Sequence, residues 1–364
     1  MSTSALSVDI VITNHDYARF LPPAIESALA QTHSDVQVVV VDDGSTDGSR
    51  EVLSGYEDRV EVVLQERGGQ AAALNAGVER CRGEVLMLLD ADDVLRPHAA
   101  ERVAAAFAAR PELSKVQFPM AIVDADGTPT GAVKPGGHLR APVGDQRRAE
   151  LAFPFDLPWL PGGGTGFRMD AVRRILPIPA RDYPRSGADW YLVHLTALIG
   201  EAALLDEVCA EYRVHGGNAY ELENDEIDLD HVRESIVFAG ATTRSLEALA
   251  DELGLERPGR VLSCADLANR LVSLRLEPER HPVAGDRRRS LLLDAFRATR
   301  RRFDVSLPMK ALLVAWFALE ALAPRRLARP LAELFLFPGR RSTFNRVLGR
   351  LQRRRGGDGT VEPT

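Results

Sequence analysis

The chain has 364 residues and 45% of them are apolar, which suits one large domain with an appendage or two domains. Its formal net charge of −7 argues against a nucleic-acid binder. Cys81, Cys209 and Cys264 lie far apart without metal-ligand spacing, so no disulfide framework or cysteine metal site is expected, and a reducing compartment fits.

The N-terminal MSTSALSVDIVIT has no basic stretch followed by a long apolar one, so no secretory leader is expected. Val8 to Thr13 is a β-branched run that predicts a buried strand. Pro22 and Pro23 open a helix through Ile25, Ala28 and Leu29. Val36 to Val41 predicts a second strand, followed by the turn Asp42 to Asp47 and a helix near Ser49 to Leu53. A third strand at Val60 to Leu64, a helix from about Ala71 to Arg80 and a fourth strand at Val85 to Leu89 complete the alternation. This order predicts an α/β fold: a mainly parallel, doubly wound, Rossmann-like sheet with ligands at its C-terminal strand ends.

A helix from about Ala99 to Ala109 stops before Pro111. Val116 to Asp124 and Gly131 to Lys134 read as strands around the Asp126-Gly127 turn. Pro154 to Gly166, rich in Pro, Gly and Trp, reads as a shaped loop. Helices at about Asp170 to Ile175 and Trp190 to Ile199 precede a strand at Ala202 to Leu205. From about Asp228 onward the pattern is helical. The longest apolar run, Ala311 to Ala323, contains Glu320 and is too short to span a bilayer.

Asp90-Ala91-Asp92-Asp93 directly follows a predicted strand, which delivers carboxylates to the sheet's C-terminal edge. Alternate residues of an extended segment face the same way, so Asp90 and Asp92 are expected to share a site. Beside a diphosphate they would need a cation, and magnesium or manganese fits oxygen ligands completed by phosphate and water. A capped helix start is the competing reading. Asp43 is placed to accept the imide N–H of a pyrimidine base, although Asp-Gly-Ser-Thr-Asp is also a self-sufficient turn. In Glu66 to Gln70 the glycines permit close backbone approach and Arg67 can reach a phosphate, but a plain turn is equally served.

Taken together, Ile12-Thr13-Asn14, Phe20-Leu21, Ile25-Glu26-Ser27, Gln31-Thr32, Val41 to Ser45, Asn75-Ala76-Gly77, Gly83-Glu84 and Leu89 to Asp93 are similar in order and spacing to one family. The stretch from Val8 to about Arg110 resembles the family 2 glycosyltransferases of GT-A fold, and the resemblance continues more weakly to about Asn218. It implies an inverting, non-processive transfer of a sugar from a nucleotide-diphosphate sugar, UDP-sugar first, to an acceptor hydroxyl, in surface polysaccharide or glycoconjugate synthesis. It places Thr13, His15, Asp43 and Arg67 at the nucleotide. Asp90 and Asp92 become the metal-diphosphate motif, with His215 beside it in Tyr212-Arg213-Val214-His215 and Asn218. Gly164, Thr165, Trp190 and Asp90 fall on the acceptor and donor-sugar side, and Asp189 where the family places its general base. An inverting transfer needs one carboxylate to take the acceptor's proton, and a helix N-terminus can keep Asp189 ionised. The expected cofactor is a divalent metal, Mn or Mg, and the expected acceptor a carbohydrate or a lipid-linked intermediate.

The expected organisation is a catalytic domain over 1–224, a helical region over 225–352, which the resemblance does not clearly cover, and a disordered tail from 353. From Arg287 to Arg355 about eighteen Lys/Arg stand against four Asp/Glu. Apolar stripes lie beside these arginines: Leu291, Leu292, Ala295 and Phe296, then Leu312, Leu313, Trp316, Leu319 and Leu322, then Leu334 to Phe337 before Arg340 and Arg341. They suit internal packing, a dimer interface or contact with an anionic membrane surface from the cytoplasmic side. A nucleotidyltransferase would need a glycine-rich loop after the first strand, where Thr13-Asn14-His15-Asp16-Tyr17 stands instead. A glycan-binding module would have no need of Asp189 with Asp90 and Asp92.

Overall fold

The computed structural model describes residues 6–136, 139–183, 185–216, 218, 227–257 and 259–336. The elements in order are β1 (Val8–Asn14), α1 (Leu21–Leu29), β2 (Val36–Asp43), α2 (Ser49–Ser54), β3 (Glu61–Gln65), α3 (Gln70–Arg80), β4 (Val85–Asp90), β5 (Val94–Leu95), α4 (Ala99–Ala109), β6 (Leu113–Gln117), β7 (Met120–Val123) and β8 (Pro129–Lys134). There follow α5 (Arg147–Ala152), β9 (Thr165–Arg168), α6 (Met169–Ile175), α7 (Ala188–Ile199), β10 (Glu201–Leu204), β11 (Ala210–Arg213), α8 (Leu229–Glu252), α9 (Cys264–Leu276), α10 (Arg288–Arg301), α11 (Leu307–Leu322) and α12 (Ala328–Leu336).

The chain divides into two compact units. The first comprises Met1–Leu151, Leu157–Glu221 and Gly240–Arg257. It holds a seven-stranded sheet of order β10-β6-β9-β4-β1-β2-β3. β3, β2, β1 and β4 run parallel, as do β6 and β10, while β9 runs against both β4 and β6. A smaller sheet has the order β5-β11-β7-β8. The expected strand Val116 to Asp124 is in fact two strands in different sheets. Pro119 lacks the N–H a ladder needs, and the N–H of Phe118 turns to the carbonyl of Gly164 at 2.9 Å. The Pro154 to Gly166 segment is loop only as far as Pro161; Gly162–Gly164 form a single 3-10 turn, and its last two residues begin β9.

The β-branched runs of β1 and β2 are buried on both faces of the sheet, as a parallel strand under helices requires. Gly77 lets α3 lie directly on them. A Cβ there would stand 2.6 Å from Cγ1 of Val11 and 3.2 Å from Cγ2 of Val41. Gly77→Val should therefore overpack this contact and cost about 1–3 kcal/mol, read as a lower urea midpoint. The neighbouring Asn75 pairs with both backbone groups of Ile178, donating to its carbonyl at 2.8 Å and accepting from its N–H at 2.9 Å.

The second unit comprises Ala152–Asp156, Leu222–Ala239 and Pro258–Thr364, so the division is not a single cut near 224. The 24-residue α8 contributes its first part to this unit and its remainder to the other. Asp156 belongs here because its carboxylate accepts the N–H groups of Cys264 and Ala265, both at 2.8 Å, at the start of α9. Leu271, Leu291, Ala295, Trp316, Phe317 and Ala321 share one core, so one side of each predicted stripe packs internally. The predicted stripe residues from Phe337, with Arg340, Arg341 and the tail from 353, lie outside the described residues.

Within that core the Glu320 side chain is fully buried 3.9 Å from Nε of Arg275, and neither of its oxygens is hydrogen-bonded. Burial pushes its pKa from the ordinary 4.5 up to about 7. Between those values the folded chain holds a proton that the unfolded chain has released, so this group favours folding below pH 4.5 and opposes it increasingly as pH rises through 7. Glu320→Gln should raise stability at pH 8 by about 2 kcal/mol and leave it unchanged at pH 4, as measured by calorimetric melting at both. All three cysteines are free and buried. No helix among the described residues is long and apolar enough to cross a membrane.

Candidate active site

β1, β2 and β4 end side by side. Thr13 is in register with Val41 on one side and Asp90 on the other, and Asn14 with Asp42. Asp42 serves the turn: it accepts from Ser45 N–H at 3.1 Å, Arg50 Nε at 3.0 Å and Asn14 Nδ2 at 3.0 Å. Asp43 gathers the next loop, accepting from Gln65 Nε2 at 2.6 Å and the N–H groups of Gly68 and Gly69 at 2.7 and 2.8 Å. A carboxylate has about four acceptor sites, so roughly one remains for a ligand. Gly44 makes this closure feasible: its φ is +72°, and a Cβ would meet the backbone nitrogen of Arg67 at 2.7 Å. His15 Nδ1 lies 2.9 Å from the carbonyl of Asp43. Arg67 is exposed and forms no ion pair among the described residues.

After β4 the chain turns at once, and Asp93 N–H donates to the carbonyl of Asp90 at 3.0 Å. The alternation expected for an extended segment therefore ends at Asp90. Asp92 turns to His215, whose Nε2 stands 2.9 Å from its Oδ2, with Asn218 Nδ2 at 3.3 Å from the same oxygen. Asp90 and Asp93 instead face Gly163: a Cβ there would lie 3.7 Å from Asp90 Oδ2 and 3.5 Å from Asp93 Oδ2. Asp93 accepts from Arg213 N–H at 2.9 Å through one oxygen, while its other oxygen is buried without a hydrogen bond. The carboxylates still crowd one another. Burial, then the charges of Asp92 and Asp189, push Asp90 up to about 8, and burial, Asp92 and Asp90 raise Asp93 strongly.

Asp189 reaches this cluster from α7. Gly187, at φ +83°, turns the chain into the helix, and Gln70 at the head of α3 accepts the N–H of Ala188 at 3.0 Å. Asp189 Oδ2 accepts Gly162 N–H at 2.9 Å. Burial raises its pKa despite the hydrogen bonds from Gly162 and Trp190 that oppose the shift. Gly162 and Gly163 thus touch Asp189 on one side and Asp90 with Asp93 on the other. Behind them a buried Glu150 binds Trp159 Nε1 at 2.9 Å and His194 Nδ1 at 2.5 Å, tying the loop before β9 to the middle of α7.

Not every predicted residue joins the carboxylates. Gly164 faces Met120, whose sulfur would lie 2.9 Å from a Cβ. Thr165 is fully buried in β9 and its hydroxyl donates to the carbonyl of Pro161 at 3.1 Å. Trp190 is half-buried, 5.7 Å from the His194 ring. Asp93, Gly162, Gln70 and two aromatics, Tyr17 and Phe20, receive no individual role from the sequence pattern. The His215 ring stacks on Phe20 at 4.6 Å and meets Tyr17 edge-on at 5.6 Å. Burial and the charges of Asp92, Asp90 and Asp93 hold the Tyr17 phenol well above its usual range.

Among the described residues no three His, Cys, Asp or Glu groups form a ready cation cage. The donor set nevertheless fits a hard cation that takes its remaining ligands from phosphate and water. Its oxygens are crowded and underneutralised, and one of them is a buried oxygen with no donor.

The family model described as glycosyl transferase family 2 matches residues 9–176, which contain β1 to β4 and the loop before β9. An uncharacterised glycosyltransferase of Nostoc sp. is 35% identical over 221 residues, covering 58% of this chain and 66% of the relative. Residues 9–176 belong to glycosyl transferase family 2. A second relative, an uncharacterised glycosyltransferase of Rickettsia prowazekii, is 36% identical over 94 residues, 26% of this chain and 30% of its own length. The chain thus spans less than two thirds of the length of either relative. Among solved structures, S. aureus TarS 1-349 in complex with UDP is similar at a TM-score of 0.54 and 14% identity, over 91% of each chain, a likeness of fold. The family 2 segment supplies Asp43, Asp90, Asp92 and Asp93, whereas Asp189 and His215 come from beyond it.

Proposed function

We propose that this chain transfers a single sugar from a nucleotide-diphosphate sugar, UDP-sugar first, to a hydroxyl of a carbohydrate or lipid-linked acceptor, with inversion and with a divalent cation. The observation that carries the reading is the convergence, across Gly162 and Gly163, of Asp189 with the Asp90 and Asp93 carboxylates at the strand ends. The UDP bound to the TarS neighbour supports the choice of nucleotide.

In this reading the remaining acceptor capacity of Asp43 takes the base, with His15 and Thr13 beside it, and the free Arg67 meets the diphosphate. Asp92, oriented by His215 and Asn218, and Asp90 hold the cation, manganese or magnesium. When bound, the cation neutralises charge on the departing diphosphate. Asp189 accepts the proton of the acceptor hydroxyl, and the Gly162 N–H fixes which carboxylate oxygen is turned away from the loop. Trp190, next in the helix, borders the acceptor side.

The test is a thermal-shift series with UDP-sugars and UDP, each with and without manganese. Binding to the native state raises the melting temperature, so a shift of several degrees that needs both nucleotide and manganese is expected. No shift with any nucleotide diphosphate would count against the donor class.

A further inference from the structure

The helical unit contains an open cavity of about 740 Å³, lined by none of the residues of the candidate active site. Arg275, Arg287, Arg288 and Arg325 line it together with Leu274 and Leu322. Its one acid, Asp286, is already engaged by Arg270 at 2.5 Å and by His281 at 3.0 Å. Arg287 and Arg288 have no side-chain partner among the described residues, and they sit at the N-terminal end of α10, which has no acid in its first turn and no side-chain cap. Positive charge is disfavoured at that end of a helix unless an anion joins it. Arg275 is buried beneath it, held by the carbonyls of Ala321 and Ala323 at 3.5 and 2.7 Å and lying 3.9 Å from Glu320, so it adds positive charge to the floor while Arg287, Arg288 and Arg325 are left to meet a ligand. Guanidinium groups lining one cavity suit the several oxygens of a phosphate.

Leu322 also belongs to the outward face of α11. Pro308, Ala311, Ala315, Leu319 and Leu322 recur every three or four residues and are all exposed. Leu319 is 55% exposed and Leu322 72%, and Leu307 at the head of the helix is 76% exposed. The opposite face, with Trp316 and Phe317, is in the core. The only acid of α11, Glu320, is buried, so its outward face carries none. A helix apolar on both faces calls for an apolar neighbour on both. Beyond Leu322 in sequence follow the exposed Arg325, Arg326 and Arg329.

We propose that the helical unit binds an anionic membrane surface: a phospholipid phosphate enters the arginine-lined cavity, and the outward face of α11 lies among the acyl chains. The charge pattern selects this occupant. A second copy of the chain would bring like-charged arginine clusters together, whereas anionic lipid neutralises them and offers apolar cover beside them. The proposal is independent of the sugar-transfer reading.

Flotation with vesicles tests it, using phosphatidylcholine alone against phosphatidylcholine mixed with phosphatidylglycerol. The full chain should float with the mixed vesicles only. Arg287→Gln/Arg288→Gln/Arg325→Gln and, separately, Leu319→Ser/Leu322→Ser should each lower the bound fraction at least about tenfold at low salt. All five side chains are exposed, so both variants should keep the circular dichroism and melting temperature of the parent. Equal binding to neutral vesicles, or none to either, would overturn the proposal. So would a phosphate-dependent melting shift that the arginine variant loses while no vesicle binds, because the cavity would then serve a soluble anion. A dimer in sedimentation that the leucine variant dissociates, without vesicle binding, would assign the face to self-association.

Discussion

Asp189→Asn should lower turnover by about 10²–10⁴-fold, the usual contribution of a positioned general base. Asparagine keeps the size of the side chain and an oxygen for the Gly162 N–H, so the loop before β9 should stay in place. Manganese-dependent binding of the nucleotide should therefore persist in the thermal-shift assay while transfer is lost. The pH profile offers a separate check. Burial raises the Asp189 pKa, and a base works only when ionised, so turnover should rise with pH through an ionisation above the ordinary carboxylate range. That limb should vanish in the variant. An unchanged profile would move the proton-accepting role to another group.

Asp92→Asn should remove at least about 10² of the manganese-dependent turnover, because a cation supplies several kcal/mol of charge stabilisation. The substitution preserves an acceptor for His215 and Asn218, so the stack of His215 on Phe20 should survive. The discriminating readout is the melting temperature. In the parent, the shift with UDP should need manganese; in the variant, manganese should produce none. Full manganese dependence in Asp92→Asn would place the cation on Asp90 and Asp93 instead.

Much of the first unit is legible from local pattern. β1, β2, β3 and β4 are short apolar runs, each followed by turn residues and a helix, and their parallel order follows from that alternation. Where long-range pairing decides, the pattern falls silent. β9 begins within Gly-Thr-Gly, a poor strand sequence, and exists because β4 and β6 both offer it a ladder. β11, with the partly polar sequence Ala-Glu-Tyr-Arg, is held between β5 and β7 and gives little apolar signal. The carboxylate cluster was half readable. Its position at a strand end could be foreseen, but the turn closed by Asp93 N–H was not, and that turn decides which aspartates face Gly163 and which faces His215. The roles of Gln70 and Glu150 depend on contacts across 118 and 44 residues of sequence, which no local motif encodes.

The direction of β9 has a consequence for how such a protein can diversify. Parallel strands present only their exits to the edge where the aspartates gather, whereas a reversed strand presents its entrance. The segment leading into β9 therefore arrives beside Asp90 and Asp189 from outside the β–α succession that supplies the aspartates of β2 and β4. Its length and side chains can drift without shifting those donor-side groups, as long as Gly162 and Gly163 keep their places. Under the proposed function, acceptor choice would then be free to evolve as a removable cassette on an otherwise fixed chassis.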